Sequence, residues 1–347
     1  MSKKFLVGYV AAGALATALI GIAPAVADEV TMSLITKTNE NPVFVLEKNY
    51  ALGLAKDMGI KLLTFAGKYD GDNTSQVDAI EDSIAGGAKA ILIIPNDTTA
   101  IIPQVEAARK KGILVEVIDS PLTKAGVADG TFATDNTQAG VVIGKWAKAF
   151  LGPKAADIHI AMLDADTMMV TNDVARDVGF LTGFGIDTSN KKIWGAEKDP
   201  RISGHDVTKG SVQGGLTAME NLLQKDPKIG LVYSMNEQAA AGAAQALKAA
   251  GRTDVISVSV DGTCQGIEMV KNGTIQATAM QFWFDMVKDA MVAADDQIKT
   301  GKKPVNTPGL DYVDTGVKLL TAHPVDGVPS VDPDEALKLR GVMCTKS

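Results

Sequence analysis

The chain has 347 residues, with 34 Lys or Arg against 41 Asp or Glu, and its formal net charge is −7. This length exceeds what a single hydrophobic core usually organises and indicates two domains. An acidic chain repels phosphate backbones, so the composition argues against nucleic acid as a partner.

The N-terminal segment is typical of an export signal. Two lysines precede an apolar run over 5–22, and a small-residue Ala-x-Ala site ends at Ala27. We expect residues 1–27 to be removed by cleavage near Ala27, which would leave the chain more acidic. A membrane anchor is the alternative, because the apolar run approaches spanning length. Pro24 and the Ala-x-Ala ending favour cleavage.

Short β-branched runs alternate with longer helical stretches in the first half of the remaining chain. We predict strands at 30–36, 60–65, 90–94 and 113–118, and helices at 43–58, 74–85 and 98–111. Strands that alternate with helices at this spacing indicate βαβ units and a parallel sheet covered on both faces. The strands show no polar alternation, as expected when both faces are buried.

The second half has the same pattern, followed by a different tail. We predict strands at 158–163, 192–194, 229–233 and 255–260, and helices at 171–184, 210–224 and 238–250. The tail begins with a loop at 301–308, continues with a strand-forming stretch at 310–320 and ends in a Pro-containing surface extension. Two halves of equal pattern predict an α/β protein with two similar, doubly wound parallel-sheet lobes.

Polar side chains end matching strands in the two halves. In the first half one strand ends at Asn96 and Asp97 and the next at Asp119; in the second half the corresponding residues are Asn236 and Asp261. Ligands of open α/β sheets bind outside the carboxyl ends of the strands, so we expect these groups around one cleft. Short carboxylates and amides suit hydrogen bonds to hydroxyl groups. The alternative is that they only start turns or cap helices.

Motifs for catalysis, cofactors and metals are missing from the sequence. We find no dinucleotide or phosphate loop, no nucleophile elbow and no zinc-protease motif, so we expect neither a cofactor nor a metal. The three histidines, His159, His205 and His323, are scattered. In an exported chain Cys264 and Cys344 suggest a disulfide, with two independent buried thiols as the alternative.

Several segments resemble the type I periplasmic sugar-binding proteins of ATP-driven importers, and especially their fructose-binding branch. The likeness covers residues 30–320 and is carried by LITKTNENP at 34–42, FATDN at 132–136, GFGID at 183–187, DPRISGHD at 199–206, TAMENLLQKDP at 217–227 and VSVDG at 258–262. The two late cysteines and DTGV at 314–317 also fit this branch.

This resemblance implies a Venus-flytrap fold with a three-segment hinge. The crossings would fall near Thr134, near Gln281 and near 310–312. The N-terminal lobe would then comprise 28–134 plus 281–310, the C-terminal lobe 135–280 plus 311–320, and the extension 321–347. The resemblance also implies a periplasmic monomer that delivers a monosaccharide to the membrane permease of an ABC importer.

The resemblance further assigns contacts to the sugar. The residues that match the family's contacts are Asn41, Phe44, Asp119, Arg176, Asn236, Asp261 and Gln281, with Lys37 and Asn96 as further candidates. Phe44 would cover an apolar sugar face, and Arg176 would donate two hydrogen bonds to adjacent hydroxyls. The acids would accept hydrogen bonds from other hydroxyls.

Two departures from the ribose-binding pattern affect the expected ligand. Val43 replaces the first of two aromatic residues, and Ser120 replaces an arginine that follows the strand-end acid. We therefore expect fructose, with ribose, mannose or another small sugar or polyol as alternatives. Trp194, Phe282 or Trp283 could supply a second aromatic face or could simply pack in the core or hinge.

Two other functions are compatible with the sequence. A periplasmic sensor would present the bound sugar or signal to a chemoreceptor or kinase. A sugar-active enzyme would use Asp119 and Asp261 as acid and base, since glycosidases need only two carboxyl groups.

Overall fold

A computed structural model describes residues 1–4, 29–341 and 344. The segment for which we predict an export signal lies mostly outside these described residues. In the described part, no helix has both the length and the apolar character that a bilayer crossing requires.

The first sheet is formed mainly by the N-terminal third of the chain. Its elements are β1 (Thr31–Thr36), α1 (Pro42–Met58), β2 (Lys61–Ala66), α2 (Asn73–Ala85), β3 (Ala90–Ile93), α3 (Ile102–Lys110), β4 (Leu114–Ile118) and β5 (Gly130–Ala133). A late strand, β11 (Val313–Asp314), completes the six-stranded order β11-β5-β4-β3-β1-β2. Every pairing in this sheet is parallel.

The second sheet repeats this architecture. Its elements are α4 (Asn136–Leu151), a 3-10 helix (Gly152–Ala156), β6 (His159–Asp164), α5 (Thr171–Phe184), β7 (Ile202–Val207), α6 (Val212–Lys225), β8 (Ile229–Ser234), α7 (Glu237–Ala249), β9 (Ile256–Asp261), α8 (Cys264–Lys271), β10 (Ala277–Gln281) and β12 (Val317–Thr321). The strand order is β12-β10-β9-β8-β6-β7. The pairing of β10 with β12 is antiparallel, and the other pairings are parallel.

Three segments connect the lobes. The chain leaves the first sheet after β5, returns after β10 through α9 (Trp283–Thr300), and leaves again after β11. Helix α9 packs on β4 and β5 of the first sheet. The predicted fold class, two parallel α/β lobes, is confirmed.

Two sequence expectations about the second half are wrong. Residues 192–194 form turns, and the neighbouring edge strand is β7, whose sequence ISGHDV is too polar and too rich in turn formers to stand out as a strand. The third crossing also comes later than 310–312, because β11 pairs with β5 in the first sheet. Residues 311–314 therefore belong to the first lobe, and the chain crosses at Thr315 and Gly316.

Local sequence explains where the cleft-facing helix α1 begins and ends. The Asn41 side chain accepts a hydrogen bond from the Val43 amide, and Pro42 occupies the first turn, where its missing N–H costs nothing. Gly59 ends the helix with φ of 68°, a conformation that glycine adopts without a steric penalty. Helix α3, by contrast, starts at Ile102 because residues 98–101 form turns.

The C-terminal extension is attached to the second lobe. A disulfide joins Cys264 at the start of α8 to Cys344, as the cysteine count suggested. Helix α10 (Pro333–Arg340) packs against α8, and Val331 pairs with Leu320 of β12. The extension therefore lies beside the loop that follows β9.

Candidate functional site

The carboxyl ends of both sheets face one interlobe cavity of about 40 Å³. This space suits about three water molecules, so the cleft is nearly closed. The cavity is lined by Lys37, Asn41, Val43, Phe44, Glu47, Asp70, Asp119, Asn172, Arg176, Met235, Asn236, Asp261, Gln281 and Trp283. All nine residues that we predicted as sugar contacts except Asn96 are in this lining.

Two acids at strand ends define the centre of the cleft. Asp119 follows β4 and Asp261 ends β9, and their φ angles of 64° and 136° lie in the region that favours glycine. Side chains held in such conformations are stabilised by their surroundings and are common at binding sites. Burial raises the pKa of Asp261 to about 7, although nearby Arg176 opposes the shift.

Arg176 on α5 lies between these two acids without bonding either. Its Nε donates to Asn136 Oδ1 at 2.7 Å, and its Nη1 donates to the Met235 carbonyl at 2.8 Å. The guanidinium is 4.0 Å from Asp119 and 3.9 Å from Asp261, too far for hydrogen bonds. The buried arginine is thus held in place with donor capacity toward the cavity.

Three buried polar atoms in the cavity lining have no hydrogen-bond partner among the described residues. They are Glu47 Oε2, Gln281 Oε1 and Trp283 Nε1, two oxygens and one N–H donor. Buried polar atoms are normally paired, so such atoms in a cavity indicate a polar ligand. The side-chain nitrogen of Gln281, Nε2, donates to Asp261 Oδ1 at 2.8 Å, and this bond orients both residues.

The strand-end asparagines act mainly as structural groups. Asn236 caps α7 through the Ala239 amide and donates to the Gly210 carbonyl, so both ends of its amide are engaged at the cavity wall. Asn96 does not reach the cavity. Its amide donates to the Lys37 and Asp72 carbonyls and accepts from the Gly71 N–H, so its prediction as a ligand contact is wrong.

Asp97 also lies away from the cavity. Its carboxylate accepts from the Thr99 and Ala100 amides, which is the turn-forming alternative that the sequence left open. In the second half, the residue in the corresponding position is Glu237, which supports the cleft from behind.

The aromatic candidates fall in different places. Phe44 and Trp283 line the cavity. Trp194 instead stacks on His205, with ring centroids 5.4 Å apart, and Phe282 lies beside Arg340. Of the three candidates for the second aromatic face, which are Trp194, Phe282 and Trp283, only Trp283 lines the cavity.

Three further polar residues of the cleft were not predicted from the sequence: Glu47, Asp70 and Asn172. Helical spacing could have found two of them, because Glu47 follows Phe44 by three residues and Asn172 precedes Arg176 by four. Burial raises the pKa of Glu47 well above its ordinary value, and Asp119 and Asp261 add to the shift. Burial likewise raises the pKa of Asp70.

The loop after β9 is held from two sides. The Glu237 carboxylate accepts from the amides of Gly262 and Thr263 at 2.7 and 2.9 Å. From the C-terminal extension, Arg340 donates to the carbonyls of Asp261 and Gly262 at 3.0 and 2.8 Å, and its guanidinium lies 4.2 Å from the Trp283 ring centroid. These contacts hold the strained Asp261 in place.

Direct hydrogen bonds join the lobes at the edge of the cavity. Asn172 of the second lobe donates to Asp119 of the first at 3.0 Å, and the Thr171 hydroxyl donates to the Pro121 carbonyl at 2.5 Å. The lobes thus enclose a site lined by acceptors, donors and aromatic faces. Fold and site together define a two-lobed binding protein that closes on a small polar ligand.

Comparison with known sequences assigns the family. The periplasmic binding protein domain model matches residues 32–303. This chain therefore belongs to the periplasmic binding protein family.

Curated relatives match most of the chain. The D-apiose import binding protein of Actinobacillus succinogenes is 30% identical over 79% of this chain and 84% of its own length. The ribose import binding protein RbsB of Bacillus subtilis is 32% identical over 80% of this chain and 85% of its own length.

Solved structures share the fold. A periplasmic solute binding protein of Actinobacillus succinogenes with bound D-allose gives a TM-score of 0.72 at 25% identity, covering 89% of this chain and 100% of that one. A galactofuranose binding protein gives a TM-score of 0.75 at 20% identity, covering 91% and 99%, and this likeness concerns the fold alone.

Proposed function

We propose that this protein is the sugar-binding component of an ABC importer, which acts in the periplasm as a monomer and leaves its ligand chemically unchanged. The observation that carries this proposal is the set of three unpartnered polar atoms around the interlobe cavity. The names of the apiose and ribose import relatives support the same class of ligand.

The bound monosaccharide completes the hydrogen bonding of the cleft. Asp119 and Asp261 accept from its hydroxyls, and Arg176 donates from between them. Gln281 Oε1 and Trp283 Nε1 take an acceptor and a donor role, and Phe44 and Trp283 cover apolar ring faces. These contacts exist only when both lobes approach the ligand, so binding favours the closed state that a permease can recognise.

Fructose is the particular ligand that we propose. The site departs from the ribose-binding pattern at Ser120, whose hydroxyl donates to Asp119 Oδ2 at 2.7 Å where that pattern has an arginine. A short neutral donor thus replaces a charged one, and both Ser120 and Asn172 donate to Asp119 Oδ2. The nearly closed cleft argues against an oligosaccharide as the ligand.

Isothermal titration calorimetry tests both levels of the proposal. Purified protein is titrated with fructose, ribose, apiose, allose, mannose, xylose, galactose and inositol. We expect fructose to bind with a micromolar or lower Kd and to be recovered unchanged. If another compound of this series bound and fructose did not, the fructose assignment alone would be overturned. If none of them bound, the sugar-receptor proposal itself would be overturned.

A variant pair tests the role of Arg176. We expect Arg176→Lys to weaken sugar binding about 100-fold, because lysine cannot reproduce the fixed, planar set of donors. Arg201→Lys is the matched control, since Arg201 pairs with Asp199 away from the cavity. Equal affinities of the two variants would remove Arg176 from the site.

A further inference from the structure

A second cluster of ionisable groups is buried within the C-terminal lobe, between α5, β6, β7 and the preceding loop. Asp164 ends β6, and Asp173 and Asp177 lie four residues apart on one face of α5. His205 belongs to β7, and Glu197 precedes that strand. Three of these acids are fully buried (0% exposed). The proposed sugar site uses none of these residues.

The imidazole is held between two carboxylates. His205 Nδ1 is 2.8 Å from Asp164 Oδ2, and its Nε2 is 2.8 Å from Glu197 Oε1. One potential ligand atom from each of Asp164, Asp177 and His205 lies within 4.8 Å of the others. Three donors from three separate elements thus converge on one point.

The cluster has more acceptors than its surroundings satisfy. In the part of the chain that the structure describes, neither Asp177 oxygen has a hydrogen-bond partner. The same holds for Asp164 Oδ1, Asp173 Oδ1 and Glu197 Oε2. The hydroxyl of buried Tyr233 also has no partner among the described residues. Burial raises the pKa of this hydroxyl, and the charge of nearby Asp177 raises it further. Among the described residues, His205 is the basic side chain that bonds these acids. Unpaired buried carboxylates are costly, so a positive charge is required here.

We propose that this cluster binds one divalent transition-metal cation through Asp164, Asp177 and His205. One imidazole nitrogen with carboxylate oxygens is a ligand set for Zn²⁺ or Co²⁺, whereas Ca²⁺ and Mg²⁺ prefer oxygen ligands throughout. Glu197 would then orient the second imidazole nitrogen, and Asp173 would bond the Ala165 amide, as it already does at 2.9 Å.

Protons are the competing source of positive charge. Although burial opposes the shift, hydrogen bonds from the imidazole to the Asp164 and Glu197 carboxylates raise the pKa of His205 to about 10. Burial raises the pKa of Asp173 and Asp177 well above the ordinary value. A cluster neutralised in this way would bind a metal only by releasing protons, so direct measurement of metal binding separates the two accounts.

The stacked ring of Trp194 provides an optical reporter. Its centroid lies 5.4 Å from that of His205, so a paramagnetic ion bound to the imidazole would quench its fluorescence. Purified protein without residues 1–27 is stripped with a chelator, dialysed and titrated with Co²⁺ and, separately, with Zn²⁺, while bound metal is counted by mass spectrometry. We expect one equivalent of either ion and quenching by Co²⁺ that Trp194→Phe abolishes.

Asp177→Asn removes one ligand with little change in volume, and we expect it to weaken Zn²⁺ binding at least tenfold. Glu116→Gln is the matched control. Glu116 lies in the other lobe, far from His205, and is likewise a buried carboxyl whose two oxygens have no partner among the described residues. Near-UV circular dichroism checks folding, and His205→Gln serves if the Asp177 variant does not fold. Absence of stoichiometric metal at micromolar Zn²⁺ or Co²⁺, or unchanged binding in both ligand variants, would overturn the proposal.

Discussion

At the scale of single residues, the cleft combines strained backbone with buried polar atoms that have no partner. Asp119 and Asp261 have positive φ angles, and Glu47, Gln281 and Trp283 keep polar atoms without partners. Each feature costs free energy in the unliganded closed form. A ligand that satisfies these atoms therefore stabilises closure more than it stabilises either lobe alone.

The buried carboxyl of Glu47 predicts a pH-dependent affinity. Its pKa rises on burial above the ordinary 4.5, so closure takes up a proton at any pH between these two pKa values. Sugar affinity should be greatest at low pH and fall as pH rises, by at most about tenfold per pH unit for one proton. In Glu47→Gln the dependence should flatten, since the amide is always neutral. Calorimetry at several pH values between about 5 and 8 measures this.

Glu40→Gln is the matched control for this experiment. Glu40 is an exposed acid near the mouth of the same cleft, so its replacement should leave the slope unchanged. Asp261, with a pKa of about 7, should contribute the residual slope in Glu47→Gln. A wild-type Kd that is constant over this range would contradict the prediction.

At the scale of elements, the contact between α4 and α5 positions Arg176. The two helices meet through glycines: a Cβ on Gly140 would lie 2.0 Å from the Arg176 carbonyl oxygen, and one on Gly179 would lie 2.2 Å from the Thr137 carbonyl oxygen. These distances leave no room for a methyl group. The close approach lets Asn136 at the start of α4 reach Arg176 on α5.

Gly179→Ala should separate these helices and destabilise the fold by about 2 kcal/mol, the usual cost of overpacking. The Tm should fall by about 5 °C in thermal unfolding followed by circular dichroism. Gly53→Ala is the control: this glycine is inside α1 with nothing near its missing Cβ, so alanine should stabilise slightly. Equal Tm values for the two variants would refute the close-packing account.

The C-terminal helix α10 supports the site through Arg340. Arg340→Ala removes the donor to two buried carbonyls, so we expect a loss of about 2 kcal/mol in unfolding free energy. Because one of these carbonyls belongs to Asp261, sugar affinity should also fall, by about tenfold. Chemical denaturation and calorimetry measure the two effects, with the disulfide left intact.

Lysine at position 340 separates charge from geometry in the same experiment. It keeps a positive charge near Trp283 but cannot bond both carbonyls in the same way. We expect Arg340→Lys to be intermediate in stability. If Arg340→Ala lost stability without losing affinity, the extension would act as a covering element only.

At the scale of the whole molecule, Asp314 joins two of the three hinge segments. Its Oδ1 accepts from the Asp135 amide in the first crossing and from the Gly316 amide in the third, each at 2.9 Å. The Thr315 amide also donates to the Ala133 carbonyl at 3.0 Å. These bonds tie the end of β5 to the end of β11, where the lobes separate.

Asp314→Ala should disfavour this closed arrangement. Loss of two hydrogen bonds to the hinge predicts a five- to tenfold weaker sugar affinity, on the order of 1 kcal/mol. Small-angle scattering should show a smaller decrease in the radius of gyration at a fixed subsaturating sugar concentration. Asp314→Asn retains the Oδ1 acceptor and should behave like the wild type. A normal closure curve for the alanine variant would exclude Asp314 from the hinge.

Of the residues predicted as ligand contacts, all except Asn96 line the cavity, but their hydrogen-bond partners could not be predicted from the sequence. Asp119 and Asp261 are predictable because both halves end matching strands in an acid, and parallel topology sends strand ends to one edge. Asn96 also follows a strand end but does not reach the cavity. Its side-chain amide bonds three backbone groups instead, whose positions depend on a neighbouring loop. Glu47 can be predicted from helical spacing only once Phe44, three residues earlier, is known to face the cleft.

Local patterns by themselves determined the βαβ order and indicated two similar halves, since both follow from residues close together in the chain. Tertiary structure alone decided that β11 joins the first sheet, that β7 replaces the expected strand at 192–194, and that His205 meets Asp164 and Asp177. Each of these outcomes is a pairing between distant segments. Periodicity and propensity carry no information about such pairings, because their free energy comes from contacts that form only after the chain has packed.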